Sequence, residues 1–348
     1  MKFTVKTASA TLGVIALLLL SGCPSWLRLS HELQYVRADA ETTPMAGSGD
    51  QADDPALWVH PGDAALSLVL GTNKNHGLFV YDLAGRENEH LAIGRVNNVD
   101  VRGNLAVASN DQVNGLSWVR ITPTETGAVL RHVGDTRVGR SAPYGVCLGM
   151  PGNQMVAGVT YPDGTLELWQ ATDHGDRITA ELARTEVLES QIEGCVFDDA
   201  EQRLFIGEED HGVWSLDLSD PASRLREVDT IATGKILVED VEGLSLYTLD
   251  DGEGYLVVSA QGADRFVLYE RQPPHRVVGV IRIISSRDGK VDAVSHTDGV
   301  EANSAPLPQY PRGLLIVQDD ANPRIEEDQN FKLVDWRSVE AAISLPPP

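Results

Sequence analysis

Cysteine, basic side chains and long apolar runs are all scarce in this 348-residue sequence, and each shortage closes off a class of protein. Three cysteines are too few for a disulfide scaffold. Lys and Arg number 28 against 51 Asp and Glu, a net charge of −23, and so negative a surface repels nucleic acid and anionic lipid. The one sustained apolar run, Ala8 to Leu20, has signal-peptide length and is too short for a comfortable transmembrane helix. No cluster of His and Cys suggests zinc, no His or Cys nucleophile motif is evident, and no long segment carries apolar residues at helical spacing.

What is present begins with a leader. Lys2 and Lys6 precede the apolar run, which ends in Leu20-Ser21-Gly22-Cys23. That ending resembles the lipobox of bacterial lipoproteins, in which small residues open the backbone to a peptidase and the cysteine thiol accepts the lipid. The expected layout is a signal peptide over 1–22, a tether over 23–50 and a folded body over 51–345. The body would be exported and held through Cys23 to a bacterial membrane, inner or outer. A secretory leader cut elsewhere is the alternative. Loss of Lys2 and Lys6 takes the net charge from −23 to −25. Of the remaining cysteines, Cys147 and Cys195 fall at nearly the same repeat phase, and export permits a bridge between them without requiring one.

From Asp53 to Trp336, short apolar or alternating runs such as Ala56-Leu57-Trp58-Val59 and Leu78-Phe79-Val80-Tyr81 are separated by Gly, Asp, Asn and Pro. This pattern predicts an all-β body. The runs also repeat. Asp54-Pro55-Ala56, Asp100-Val101, Tyr144-Gly145-Val146, Glu193-Gly194-Cys195, Glu242-Gly243-Leu244 and Asp298-Gly299-Val300 open six units at intervals of 44 to 56 residues. Units of this length, built from three or four short strands, predict a six-bladed β-propeller in which each sheet is buried between its neighbours. A large β-sandwich is the structural rival, and it has no need of the same opening six times. Trp58, Trp118, Trp169 and Trp214 fall in strands and read as blade core, and His60, His76 and His211 read as turn or surface residues.

The innermost strands of a propeller run beside its axis, so residues at one repeat position converge on one end of the channel. Asp54, Asp100, Tyr144, Glu193, Glu242 and Asp298 are therefore expected to form a ring, with carboxylates at every place but one. Such a ring raises its own pKa values and repels itself unless cations neutralise it, and hard oxygen ligands suit calcium. A second ring is expected from the turns Asn73-Lys74, Asn110-Asp111, Pro162-Asp163, Glu208-Glu209-Asp210, Gln261 and Gln318-Asp319.

Seven ordered motifs then carry a resemblance over nearly the whole body. Asp53-Asp54-Pro55-Ala56-Leu57-Trp58, Asn97-Asn98-Val99-Asp100-Val101-Arg102, Glu193-Gly194-Cys195, Gly207-Glu208-Glu209-Asp210, Asp240-Val241-Glu242-Gly243-Leu244, Thr297-Asp298-Gly299 and Gln329-Asn330-Phe331-Lys332 resemble the β-propeller phytases. The resemblance implies a calcium-dependent hydrolase of the phosphate monoesters of myo-inositol hexakisphosphate, acting through water activated by several calcium ions. It implies metal ligands at Asp54, Asn98, Asp100, Glu193, Glu208, Glu209, Glu242, Gln261 and Asp298, with a further calcium-binding stretch at Gln318, Asp319 and Asn322. Glu193, Glu208, Glu242, Asp298 and Tyr144 would carry the catalysis, and Lys74 would bind phosphate. The implied partner is a calcium–phytate complex or another phosphorylated small molecule, taken up by a monomer.

Two positions depart from the pattern. Asp111 stands where an arginine is usual, and Pro162-Asp163 replaces a usual lysine and glutamate, so two cationic phosphate contacts are missing. Arg102, Arg140 and Arg265 are the candidates to replace them. The departures favour an alternative reading, a non-catalytic calcium-binding propeller lipoprotein that serves as a binding module. A lactonase or esterase built on a calcium-holding propeller would share the acidic ring but not the seven motifs.

Overall fold

The computed structural model describes residues 32–344 except 46, 48, 234–235 and 322–328. Six separate sheets follow one another along the chain, each built on an antiparallel meander whose first strand lies innermost. The inner strands are Ala52–Trp58, Val96–Arg102, Val146–Gly149, Ile192–Asp198, Val241–Thr248 and Val300–Asn303, which define blades 1 to 6. Each inner strand contacts that of the blade before and the blade after, and blade 6 returns to blade 1, closing the ring. The expected six-bladed β-propeller is the observed fold.

Stability comes from between the sheets. A meander of short strands buries little by itself, and here one apolar cluster fills each of the six gaps between neighbouring blades. Trp58 and Trp118 are fully buried in two of these gaps and Trp169 nearly so, as the strand pattern requires. Trp214 is only partly buried, and its ring N–H donates to Glu208.

The body starts earlier than the expected tether allows. Leu33–Arg37 pairs in parallel with Val277–Ile284 as a fifth strand on blade 5, and Ala40–Glu41 pairs with Asn330–Asp335 as the outer strand of blade 6. One ion cluster fixes the junction. Lys332, fully buried, places its ammonium 2.8 Å from Glu41, 2.7 Å from Asp292 and 2.8 Å from Asp319. These edge strands are short and mixed in polarity, which is why the sequence pattern reads as a tether. Cys23 and the 1–22 leader lie outside the described residues.

A chain beginning at residue 50 is therefore expected to lose stability steeply against one beginning at residue 24, because it strips an edge from two blades and leaves Lys332 short of a partner. Equal melting temperatures for the two would show that the first strands contribute nothing to closure.

Candidate active site

The inner strands enter the ring through a shared irregularity. In blades 1, 2, 4 and 5 the ladder to the second strand breaks just after Ala52, Val96, Ile192 and Val241, which pair with Asn73, Asn110, Glu208 and Ala260. The residue after each of these is released from ladder pairing at the mouth of the channel. The equivalent positions are thus Asp53, Asn97, Tyr144, Glu193, Glu242 and Asp298. The expected ring holds for blades 3 to 6 and needs correction in the first two, where it slips by one residue from Asp54 and by three from Asp100.

A close approach confirms the frame. A Cβ built on Gly145 would lie 1.9 Å from the Glu193 carbonyl oxygen, one on Gly194 2.1 Å from that of Glu242, and ones on Gly243 and Gly299 2.7 Å from those of Asp298 and Asp53. Each of these ring residues is followed by glycine because the next ring residue's backbone occupies the space a side chain would need.

Within this mouth, carboxylate oxygens of Glu193, Glu209 and Glu242 all lie within 4.8 Å of one another. Glu209 comes from the second-strand turn of blade 4, Lys74 from that of blade 1 and Gln261 from that of blade 5. The ammonium of Lys74 lies 2.8 Å from Asp50, 3.3 Å from Asp53 and 3.8 Å from Asp298. The Gln261 amide donates to Asp298. A cleft of about 370 Å³ opens here, lined by Lys74, Tyr144, Glu242, Gln261 and Asp298.

The electrostatics are those of too many acids in too little water. Burial, then the Glu193 charge, pushes Asp53 and Glu242 well above the usual carboxylate range. The same causes lift Asp298 to about 7, and burial with Glu193 and Asp240 nearby lifts Glu209 to about 7. The Glu193 charge and burial raise the Tyr144 phenol, which stays a neutral donor. Burial works against the Lys74 charge, but Asp53, Asp298 and Glu193 outweigh it and hold the ammonium. One oxygen of each of Asp53, Glu193 and Glu242 is buried without a hydrogen-bond donor, and the other Asp53 oxygen has the Lys74 ammonium at 3.3 Å. Orphaned, buried, hard oxygens clustered around one mouth fit a hard divalent cation.

The phytase family model matches residues 6–346. The chain belongs to the phytase family. It is 34% identical over 324 residues to the 3-phytase of Bacillus subtilis (strain 168), an alignment covering 87% of this chain and 84% of that protein. Membership makes it a phosphoric monoester hydrolase.

Of the residues expected in this phytase-family site, Lys74, Tyr144, Glu193, Glu209, Glu242, Gln261 and Asp298 come together, and the others do not. Asp54 turns into the channel and accepts from the Val99 N–H at 3.0 Å, and Asn98 lines the same cavity. Asp100 and Arg102 lie farther along that channel, in a cavity of about 530 Å³, where Arg102 bridges Asp100 and Asp199 at 3.3 Å each. Glu208 is saturated: one oxygen accepts from the Glu189 and Ser190 N–H groups at 2.8 Å and the other from Trp214 at 2.7 Å, so it shapes the turn that presents Glu209. Gln318 holds backbone, accepting from the Asp298 N–H and donating to the Ala52 carbonyl. Asp319 is engaged by Lys332 and the Ser295 N–H. Arg140 pairs with Asp163 at 2.7 Å, and Arg265 sits beside Arg282, whose charge adds to burial in lowering its pKa. Asn322 lies outside the described residues.

Asp53 and Asp50 are the members that sequence reasoning missed. The frame that assigns Asp53 is visible only in the fold: the glycine that follows the ring residue in blades 3 to 6 stacks on the carbonyl of the next member, and Gly299 stacks on Asp53.

Asp298 and Glu209 hold protons to about pH 7 in the folded protein, against about 4 in an unfolded chain. The folded state therefore binds more protons across that window, and stability falls as pH rises through it. In excess chelator the protein is expected to melt at a lower temperature at pH 8 than at pH 5, and a divalent cation is expected to raise the pH 8 value. A chelated protein that grows more stable from pH 5 to pH 8 would contradict this account of the ring.

Proposed function

We propose that the chain is a calcium-dependent phytase that removes phosphate from myo-inositol hexakisphosphate at the Glu193–Glu209–Glu242 mouth. The observation that carries this reading is the convergence of those three carboxylates beside Lys74, with buried oxygens of Asp53, Glu193 and Glu242 that no donor satisfies. Asp53, Glu193, Glu209, Glu242, Asp298 and Gln261 would hold the ions. Calcium bound there would neutralise phosphate oxygens and lower the pKa of water for attack on phosphorus.

The chain's own groups set the rest. A substrate with six phosphates can approach so acidic a mouth only with cations between, and Lys74 is the one lysine or arginine among the described residues lining the cleft. It is positioned to take a phosphate oxygen in exchange for Asp50, which is exposed. The Tyr144 hydroxyl, kept protonated, supplies a donor from blade 3. Arg140 lies in the segment leading into blade 3 and is half-exposed, so phosphate can compete with Asp163 for it. The same pairing gives the alternative its support: with Arg140 committed to Asp163 and Asp111 on the neighbouring turn, the rim grips phosphate weakly, as a non-catalytic calcium-binding module would.

The bridge between Cys147 and Cys195 supports export, since a structural disulfide persists in an oxidising compartment. We take the exported body to be a monomer tethered by lipid on Cys23. Cys23→Ala is expected to move the protein from the membrane fraction to the soluble one, and retention on the membrane would remove the anchor.

Phosphate release from phytate by the chain lacking residues 1–23 is expected to need added calcium and to stop in excess chelator. Glu242→Gln should lower kcat by more than the ~10–100-fold typical of losing an outer-sphere metal partner. Lys74→Ala should raise KM, while Asp100→Asn, at the far end of the channel, should leave both constants near wild type. Calcium binding without phosphate release would establish the binding module instead, and release that persists in chelator would sink the metal mechanism.

A further inference from the structure

The disulfide joins the inner strands of blades 3 and 4, with 5.7 Å between the Cα atoms of Cys147 and Cys195. Its placement relative to the mouth is specific. Cys147 follows the ring residue Tyr144 by three positions, and Cys195 follows Glu193 by two. Glu193 is the electrostatic centre of the site: its charge contributes to the shifts of Asp53, Lys74, Tyr144, Glu209, Glu242 and Asp298. Yet the ladder of blade 4 breaks between Ile192 and Cys195, so Glu193 and Gly194 are unpaired with the second strand, and one Glu193 oxygen has no donor.

At two other junctions, between blades 5 and 6 and between blades 6 and 1, a direct backbone tie holds the equivalent residue. The Gly243 N–H donates to the Asp298 carbonyl and the Gly299 N–H to the Asp53 carbonyl, each at 3.0 Å. At the junction of blades 3 and 4 the Gly145 N–H turns away to Thr160 Oγ1 within its own blade, and that hydroxyl donates to the Glu193 carbonyl at 3.0 Å. The junction of blades 2 and 3 uses the same relay, the Asn98 N–H donating to Ser109 Oγ and that hydroxyl to the Tyr144 carbonyl, so what sets the blade 3–4 junction apart is the covalent bridge added to the relay. Gly158 makes room for it: a Cβ there would stand 2.8 Å from Cys147 Sγ and 3.4 Å from Cys195 Sγ.

We propose that the Cys147–Cys195 disulfide is a positioning device for the metal-holding mouth, reinforcing at this junction the hydroxyl relay that stands in for a direct interblade backbone bond and fixing Glu193 against Tyr144. It acts through the strand, not by touching substrate. The inference rests on the metal-holding reading of the ring. Its consequence is that oxidation state sets cation affinity: the reduced chain keeps its propeller, closed by the other junctions, but holds Glu193 loosely.

The test is calcium chloride titrated alone into wild type and Cys147→Ser/Cys195→Ser by calorimetry, with melting temperature, kcat and KM measured alongside. The double variant is expected to keep its far-UV dichroism, to bind calcium about tenfold or more weakly, as loss of an outer-sphere support does, and to lose kcat with KM little changed. Gly158→Ala, which crowds the bridge without removing it, should weaken calcium binding in the same direction. A double variant that melts lower but binds calcium and turns over like wild type would overturn the proposal and leave the bridge a mere brace. If the double variant does not fold, Gly158→Ala decides, and unchanged affinity in that variant overturns the proposal. A wild type that binds calcium but releases no phosphate would defeat the phytase reading while the affinity comparison still stands.

Discussion

A glycine that stacks on the carbonyl of the next ring residue sets the separation of the inner strands at the mouth, and through it the separation of the acids. With no side chain at Gly145, Gly194, Gly243 or Gly299, neighbouring strands approach until backbone meets backbone. Any larger residue would push its blade outward and widen the gap between the two carboxylates it separates. In blades 1 and 2, Asp54 and Asn98 take the glycine's place, and their side chains turn into the channel, where Asp54 makes its own interblade bond to Val99. The fold thereby builds a narrow mouth and a roomier channel from one repeat.

That narrowness has an energetic consequence which magnitudes decide. Two like charges 4.8 Å apart repel by about 3.5 kcal/mol at an effective dielectric near 20. Three such pairs among Glu193, Glu209 and Glu242 amount to about 10 kcal/mol, as large as the whole net stability of a typical domain. The ring is therefore not tolerable as a set of free carboxylates. Protons relieve it at low pH, Lys74 relieves the side formed by Asp53 and Asp298, and one oxygen each of Glu193 and Glu242 is left buried without a donor.

Much of this was legible in the sequence, and the failures have particular causes. Six blades could be read because each carries turn residues and apolar strands at a steady interval. Ring members Glu193, Glu242 and Asp298 could be read because a single acid precedes a glycine in each. In blade 1 two adjacent acids compete for the place, and in blade 2 Asn97, Asn98 and Asp100 do, so spacing alone chose the wrong one. The ladder break that fixes the frame leaves no mark in composition. Glu208 and Glu209 are chemically equivalent on paper, but the Ser190 and Glu189 N–H groups that consume Glu208 come from the segment leading into the inner strand. Asp319 reads as a ligand in the sequence because Lys332, its partner, is brought to it only by the pairing of two strands. The first two edge strands escaped notice because their partners lie some 245 and 290 residues away in the chain.

The pairing of Ala40–Glu41 with Asn330–Asp335 also governs when the site can exist. Blade 6 needs strands from both extremes of the described chain, so the circle cannot close until nearly all of it has been made. Until then Asp298 and Asp53 belong to opposite free ends, and the mouth is an open arc. The side of the mouth where Lys74 meets both Asp53 and Asp298 therefore assembles in a single late event, once the last blade has found the first strand.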